Sequence, residues 1–221
     1  GSEMCIRDST SFTTTLNTFG PGGKAVTFPT VPQEGKLILH GRDALQMPVD
    51  FTIGDWGAYY STGLLFFNSP MKGHPLAVLT GTGGDRGEIV LDAPHKPMVT
   101  STHTNTANTS VTSTWDKEKK QLRINYTWGS PYDITVSMQG KAPLTLRIAD
   151  RHSLIRAWSP ENLLNGTMQG LLVENADLVR SVHYTGHTAH LVGSTTAPQK
   201  VRIWLPAVSY THLRAHETRE D

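Results

Sequence analysis

Short apolar runs recur in this chain about every ten residues, each closed off by glycine or proline, and that rhythm constrains the fold more than any other feature. Residues 12–16, 25–28, 37–39, 47–53, 63–67, 75–79 and 88–91 read as strands, and so do 121–128, 132–138 and 144–148. Met47, Val49, Phe51 and Ile53 alternate with polar or small neighbours, the pattern of a half-buried strand. Leu37, Ile38 and Leu39 stand between Gly35 and Gly41 as a strand short enough to be buried on both faces, and Arg42-Asp43 follows as an ion pair. Thr100, Thr102, Thr104 and Thr106 share one face of an extended segment, resumed by Thr112 and Thr114, which suits a wet pleated surface. One helix is expected at 151–158, capped by Asp150 and stopped by Pro160. Short strand-like runs resume beyond a loop at 161–167, the best candidate domain boundary. Many short strands with glycine and proline turns predict an all-β sandwich assembly.

The two ends read differently from the middle. Met4-Cys5-Ile6-Arg7-Asp8 can be written ATG TGT ATA AGA GAC, whose reverse complement encodes Val-Ser-Tyr-Thr-His, the residues at Val208 to His212. Opposite strands of one short DNA at the two ends of a chain are the mark of translated adapter, so 1–8 and 208–221 are set aside from fold reasoning. Cys5 goes with them, and residues 9–207 then hold no cysteine for a disulfide, a thiol nucleophile or a cysteine zinc site. Of 20 Lys+Arg, setting aside Arg7, Arg214 and Arg219 leaves 17; of 19 Asp+Glu, setting aside Glu3, Asp8, Glu217, Glu220 and Asp221 leaves 14. A net charge of +3, scattered along the chain, argues against nucleic acid or a charged membrane surface as partner. No apolar run approaches the roughly 20 residues that span a bilayer.

Few constellations promise chemistry. Gly81-Thr82-Gly83-Gly84-Asp85-Arg86-Gly87 has the glycine content of a phosphate loop, but Arg86 breaks the dinucleotide spacing and a strand follows it, so a hairpin loop is the better reading. His183, His187 and His190 have metal-like spacing without a nearby cysteine or carboxylate, and hairpin histidines are favoured over a metal site. Asp150, His152 and Ser153 are triad residue types at a spacing that points them apart. Glycoside hydrolysis uses two carboxylates, yet Glu34, Glu88, Glu118, Glu161 and Glu174 are the glutamates of 9–207, and none follows an asparagine. No catalytic residue, cofactor or metal ligand is assigned. Trp56, Tyr59, Tyr60 and Trp128 are candidates for a carbohydrate platform or a domain interface, with core packing the commoner fate of such residues. Asn108, Asn125 and Asn165 fit the glycosylation acceptor pattern.

Five motifs occur in a telling order: Leu39-His40-Gly41-Arg42-Asp43, Tyr60-Ser61-Thr62, Val78-Leu79, Asp150-Arg151 running to Trp158, and Leu178-Val179-Arg180-Ser181. Together they resemble the second domain, and the start of the third, of family-35 glycoside hydrolases, the β-galactosidases. The resemblance implies antiparallel β-hairpins merging into an immunoglobulin-like sandwich over 9–160, closed by a helix, then a linker and truncated third-domain strands over 161–207. It also implies a secreted or periplasmic parent that hydrolyses terminal β-galactosyl bonds with two barrel glutamates absent from this chain. The catalytic barrel and the later β-domains of that parent are the implied partners, with galactosides as possible ligands. The alternatives from other classes are a free-standing carbohydrate-binding module and a cell-surface adhesion sandwich. If the ends are adapter, they have no evolved core to join. Deleting 1–8 and 209–221 is expected to leave the thermal midpoint unchanged, and differential scanning calorimetry checks it.

Overall fold

The computed structural model describes residues 11–29, 37–40, 46–69, 73–102, 110–160, 163–164, 167–168, 171–185, 188–198 and 200–204. Arg42, Asp43, Thr104, Thr106, Asn108, Asn165, His187 and both adapter-like ends lie outside them. The chain divides into two compact units, Gly1–Ile155 and Arg156–Asp221.

The first unit begins with β1 (Ser11–Thr14), β2 (Leu16–Gly20), β3 (Lys24–Phe28) and β4 (Leu37–His40). There follow β5 (Val49–Ile53), β6 (Trp56–Ser61), β7 (Leu64–Asn68), β8 (Leu76–Gly81) and β9 (Arg86–Asp92). It ends with β10 (Met98–Ser101), β11 (Thr112–Asp116), β12 (Gln121–Thr127), β13 (Tyr132–Ser137) and β14 (Leu144–Asp150). Two five-stranded sheets result, in the orders β10-β13-β14-β8-β7 and β11-β12-β9-β6-β5. The period-2 pattern explains how they meet. Leu122, Ile124 and Tyr126 of β12 and Ile89 and Leu91 of β9 join Ile134 and Val136 of β13 and Leu144, Leu146 and Ile148 of β14 in one buried core. The architecture is an all-β sandwich, as its short alternating runs predict.

A second, smaller core lies on the other face of the second sheet. Phe28 packs there with Tyr59, Tyr60 and Val90. Strict alternation would send Tyr59 and Tyr60 to opposite faces. The β6–β9 register slips between Ala58 and Tyr60, so a bulge absorbs Tyr59 and both phenols join the Phe28 cluster. The β2–β3 hairpin, turned by a 3-10 segment at Pro21–Gly23, brings Phe28 to this cluster.

Two expectations change. The helix expected at 151–158 is a run of turns followed by β15 (Ala157–Trp158). Asp150 does cap, accepting the Ser153 N–H at 2.6 Å, and Ile155 N–H reaches His152 O at 3.2 Å. A segment this short has no propagation to offset helix nucleation, and pairing draws Ala157 and Trp158 into a strand. The Gly81–Gly87 loop is not a hairpin, because β8 and β9 belong to different sheets. It is a crossing between them. The strand 37–39 forms as β4 and pairs with β1 in a two-stranded ladder, apart from the two large sheets. The threonine-rich segment supplies Thr100 to β10 and Thr112 and Thr114 to β11, the outermost strands of the two sheets, and all three are exposed.

In the second unit β18 (Leu172–Glu174) pairs with β15 and with β21 (Arg202–Trp204). β16 (Leu163–Leu164) pairs with β17 (Thr167–Met168), and β19 (Leu178–Thr185) with β20 (Thr188–Ser194). Leu171, Val173 and Ala176 are its buried centre, flanked by Trp158, Val179, Val182, Leu191 and Ile203. Trp158 donates its indole N–H to Ala176 O at 2.9 Å. The chain divides between Ile155 and Arg156, ahead of the segment 161–167 read as a loop, which carries β16 and the start of β17 instead.

The main core contains two phenols with alkaline consequences. Tyr132 donates to Thr127 O at 2.8 Å, and burial, the stronger influence, pushes its pKa up to about 12. Burial raises Tyr126 as well. A phenol whose folded pKa exceeds its unfolded value ionises first in the unfolded chain, so the stability it supports is whole below about pH 10. That stability is lost as pH rises from about 10 through about 12. Thermal melts should hold level up to that window and fall within it, with Tyr132→Phe showing the shallower decline.

Candidate functional site

The four aromatic candidates are all internal: Trp56, Tyr59 and Tyr60 are 0% exposed and Trp128 is 4% exposed. A sugar platform needs open ring faces, and these rings have none to offer. Trp56 donates its indole N–H to Ala142 O at 2.9 Å, and the Lys141 ammonium lies 5.0 Å from its ring centroid. Tyr60 stacks on Phe28 with centroids 4.8 Å apart and planes at 28°. Tyr59 lies against Gly20 of the β2–β3 hairpin so closely that a Cβ there would run into its ring. These tyrosines join the hairpin to the sheet.

Trp128 is seated against three glycines. A Cβ on Gly63 or Gly81 would strike its indole, and one on Gly87 would strike Tyr126 and crowd Trp128. Gly63 stands just before β7, Gly81 closes β8 and Gly87 lies in β9, so glycines belonging to both sheets converge on one ring. Main-chain bonds hold the same place: Trp128 N–H to Asp85 O at 2.9 Å, and Gly84 N–H to Trp128 O at 3.0 Å. Tyr126 meets the indole edge-on, centroids 4.8 Å apart and planes at 81°. The glycine-rich loop is thus shaped around a tryptophan. In sequence the three glycines and Trp128 are too far apart for any local pattern to reveal this.

The charged candidates are fully occupied. Glu88 is 0% exposed on the outer face of the second sheet, where Tyr60 Oη donates to its Oε1 and Arg123 Nε stands 3.5 Å from its Oε2. Its main chain is held too, with Glu88 N–H to Thr62 Oγ1 at 2.8 Å and Thr62 N–H to Glu88 O at 2.9 Å. A carboxylate so buried needs such partners, because removing one from a buried pair costs about 3–5 kcal/mol. In the second unit Glu174 accepts the Trp204 indole N–H at 3.2 Å and lies 3.9 Å from Arg202. Sequence reasoning missed this engagement of Tyr60, Arg123 and Glu88, since it depends on three strands and a bulge. Asp150 is used in a turn and not in a triad with His152 and Ser153. Asn125 sits inside β12 with its side-chain oxygen buried, a poor place for a glycan. His183 and His190 stand directly opposite each other across the β19–β20 ladder.

With the geometry in view, the comparison with known families is decisive. A family model described as β-galactosidase, domain 2, matches residues 2–154. The chain belongs to the β-galactosidase domain 2 family. No curated protein matches it. The family match ends at residue 154 and the first compact unit at Ile155, so the sandwich itself is the domain 2 unit. The chain is a non-catalytic domain of a β-galactosidase-like protein, and Trp56, Tyr59, Tyr60, Trp128 and Glu88 are buried within its domain 2 sandwich.

Overpacking a tight core costs about 1–3 kcal/mol, more when the obstacle is a rigid ring. Gly81→Ala is expected to lower unfolding stability by at least that much and to shift the tryptophan emission. Gly73→Ala, where an added Cβ meets nothing within 4 Å, should be close to silent. Urea unfolding followed by fluorescence compares the two.

Proposed function

We propose that this chain is an accessory fragment of a β-galactosidase-like glycoside hydrolase whose parent hydrolyses terminal β-galactosyl residues. In this reading the immunoglobulin-like sandwich packs against the catalytic barrel of the parent, and the second unit is the truncated beginning of the next β-domain. The observation that carries it is the agreement between the family match over 2–154 and the compact unit ending at Ile155. Two further features support it. Leu16 and Phe19 on β2 and Val49 on β5 leave large apolar side chains 42%, 66% and 40% exposed, and β2 lies beside β5. Exposed apolar surface of that kind suits an inter-domain contact. The aromatic rings that a carbohydrate-binding module would present are all buried, which weighs against that alternative.

The purified chain is expected to leave a chromogenic β-galactoside intact. It is also expected to form a one-to-one complex with a β-galactosidase barrel produced without its second domain. Analytical ultracentrifugation with and without the barrel reads the outcome. A chain that ignores the barrel yet binds galactan would replace this proposal with the binding-module reading.

A further inference from the structure

The β19–β20 hairpin presents two imidazoles that the domain 2 reading does not use. Its ladder pairs Val182 with Leu191, His183 with His190 and Tyr184 with Ala189. Val182 and Leu191 pack on the Leu171, Val173 and Ala176 core. Side chains alternate faces along a strand, so His183 and His190 stand on the opposite face, and both are exposed. Residues directly opposite in an antiparallel pair have Cβ atoms about 4.5–5.5 Å apart. From that separation two imidazoles can turn inward and place one nitrogen each about 2.0–2.1 Å from a common ion.

The base of the hairpin is fastened. The Asp177 carboxylate accepts the Thr196 N–H at 2.6 Å and the Thr196 hydroxyl at 2.9 Å, and it meets Arg156 Nη2 at 2.5 Å. The Thr196 N–H is the chief reason that this carboxyl is held below the usual carboxylate range. A fixed register keeps the two histidines opposite, which is the ordering that a chelate needs before the ion arrives.

We propose that His183 and His190 form a two-imidazole site for a divalent late first-row transition ion, Cu2+ or Zn2+, on the outer face of this hairpin. Imidazole suits both ions, and affinity at a nitrogen site peaks at Cu2+. Calcium and magnesium prefer oxygen ligands and are poor candidates. No group of three or more His, Cys, Asp or Glu side chains suited to a metal gathers among the described residues. Two imidazoles would leave the remaining coordination positions open, unlike the closed sphere of a structural zinc. An ion that binds the paired hairpin and not the open one stabilises the pairing by mass action.

The test is a Cu2+ titration of the full chain by calorimetry in a non-coordinating buffer at neutral pH, repeated with Zn2+. The chain has 10 histidines, so controls are needed. His183→Ala and His190→Ala should each weaken the tightest site at least tenfold. His95→Ala and His152→Ala, which remove exposed histidines of the other unit, should leave it unchanged. At one equivalent of Cu2+, the electron paramagnetic resonance spectrum of the unsubstituted chain should show two equatorial imidazole nitrogens. A single imidazole in that spectrum, or equal losses from all four substitutions, would overturn the proposal. The spectrum needs no substituted protein, so it decides the question even where a variant misfolds.

Discussion

The close approach of the Trp128 indole to Gly63, Gly81 and Gly87 is the contact on which the domain 2 sandwich depends most. Magnitudes show why the arrangement is favourable. Each glycine in a strand or its margin costs about 0.5–1 kcal/mol relative to alanine, so three cost about 1.5–3 kcal/mol. Burying an aromatic of about 150–250 Å² at about 25 cal/mol per Å² gains about 4–6 kcal/mol as an upper estimate. The ring wins, and it wins only if all three positions stay open. Because β7 and β8 belong to one sheet while β9 and β12 belong to the other, this ring also fixes how the two sheets close at that end.

The same logic governs the outer layer. A sheet face with buried Glu88 and Val90 must be covered, and the cover is the β2–β3 hairpin with Phe28. The bulge in β6 turns two consecutive tyrosines toward that cover, doubling the aromatic surface available to it. Tyr60 then does two jobs, stacking on Phe28 while its hydroxyl satisfies Glu88. The buried carboxylate is tolerable because Arg123 supplies the opposite charge nearby. Gly20 is part of this arrangement, since a side chain there would lift the hairpin off Tyr59.

Strand positions were legible because their physics is local. Alternation along 132–138 and 144–148 reports which residues face a core, and β13 and β14 bury Tyr132, Ile134, Val136, Leu144, Leu146 and Ile148 as that pattern requires. Partnership between strands is not local, and local pattern does not reach it. Nothing in residues 81–87 says that β8 and β9 enter different sheets, and nothing near Leu76 or Thr145 says that β8 and β14 run parallel. The expected helix at 151–158 had a sound cap in Asp150 but too short a body, and a distant strand claimed Trp158. The aromatic candidates were visible as residues, yet their burial depends on glycines up to 65 positions away, at Gly63 against Trp128. The histidine pair shows the converse. Spacing alone allows His183 and His187 to share a strand face, whereas the ladder register sets His183 opposite His190.

An aromatic ring sealed inside a core cannot also stack on a sugar, and this exclusion bears on what domain 2 contributes to a β-galactosidase. Trp56 is held by Ala142 and Lys141, Tyr60 by Phe28 and Glu88, and Trp128 by its glycines and Tyr126. Freeing any of them for a ligand would forfeit packing or hydrogen bonds that the sandwich needs. The large apolar groups still exposed on β2 and β5 are Leu16, Phe19 and Val49. Phe19 is paired with Ala25 across the hairpin, on the face opposite the one that Phe28 turns toward the sheet. The Phe19 ring stays in water and joins none of the core clusters among the described residues. On the accessory reading its role is contact with a neighbouring domain, and the rigidity gained from Trp128 and the Phe28 cluster is what would hold that contact surface in a fixed shape.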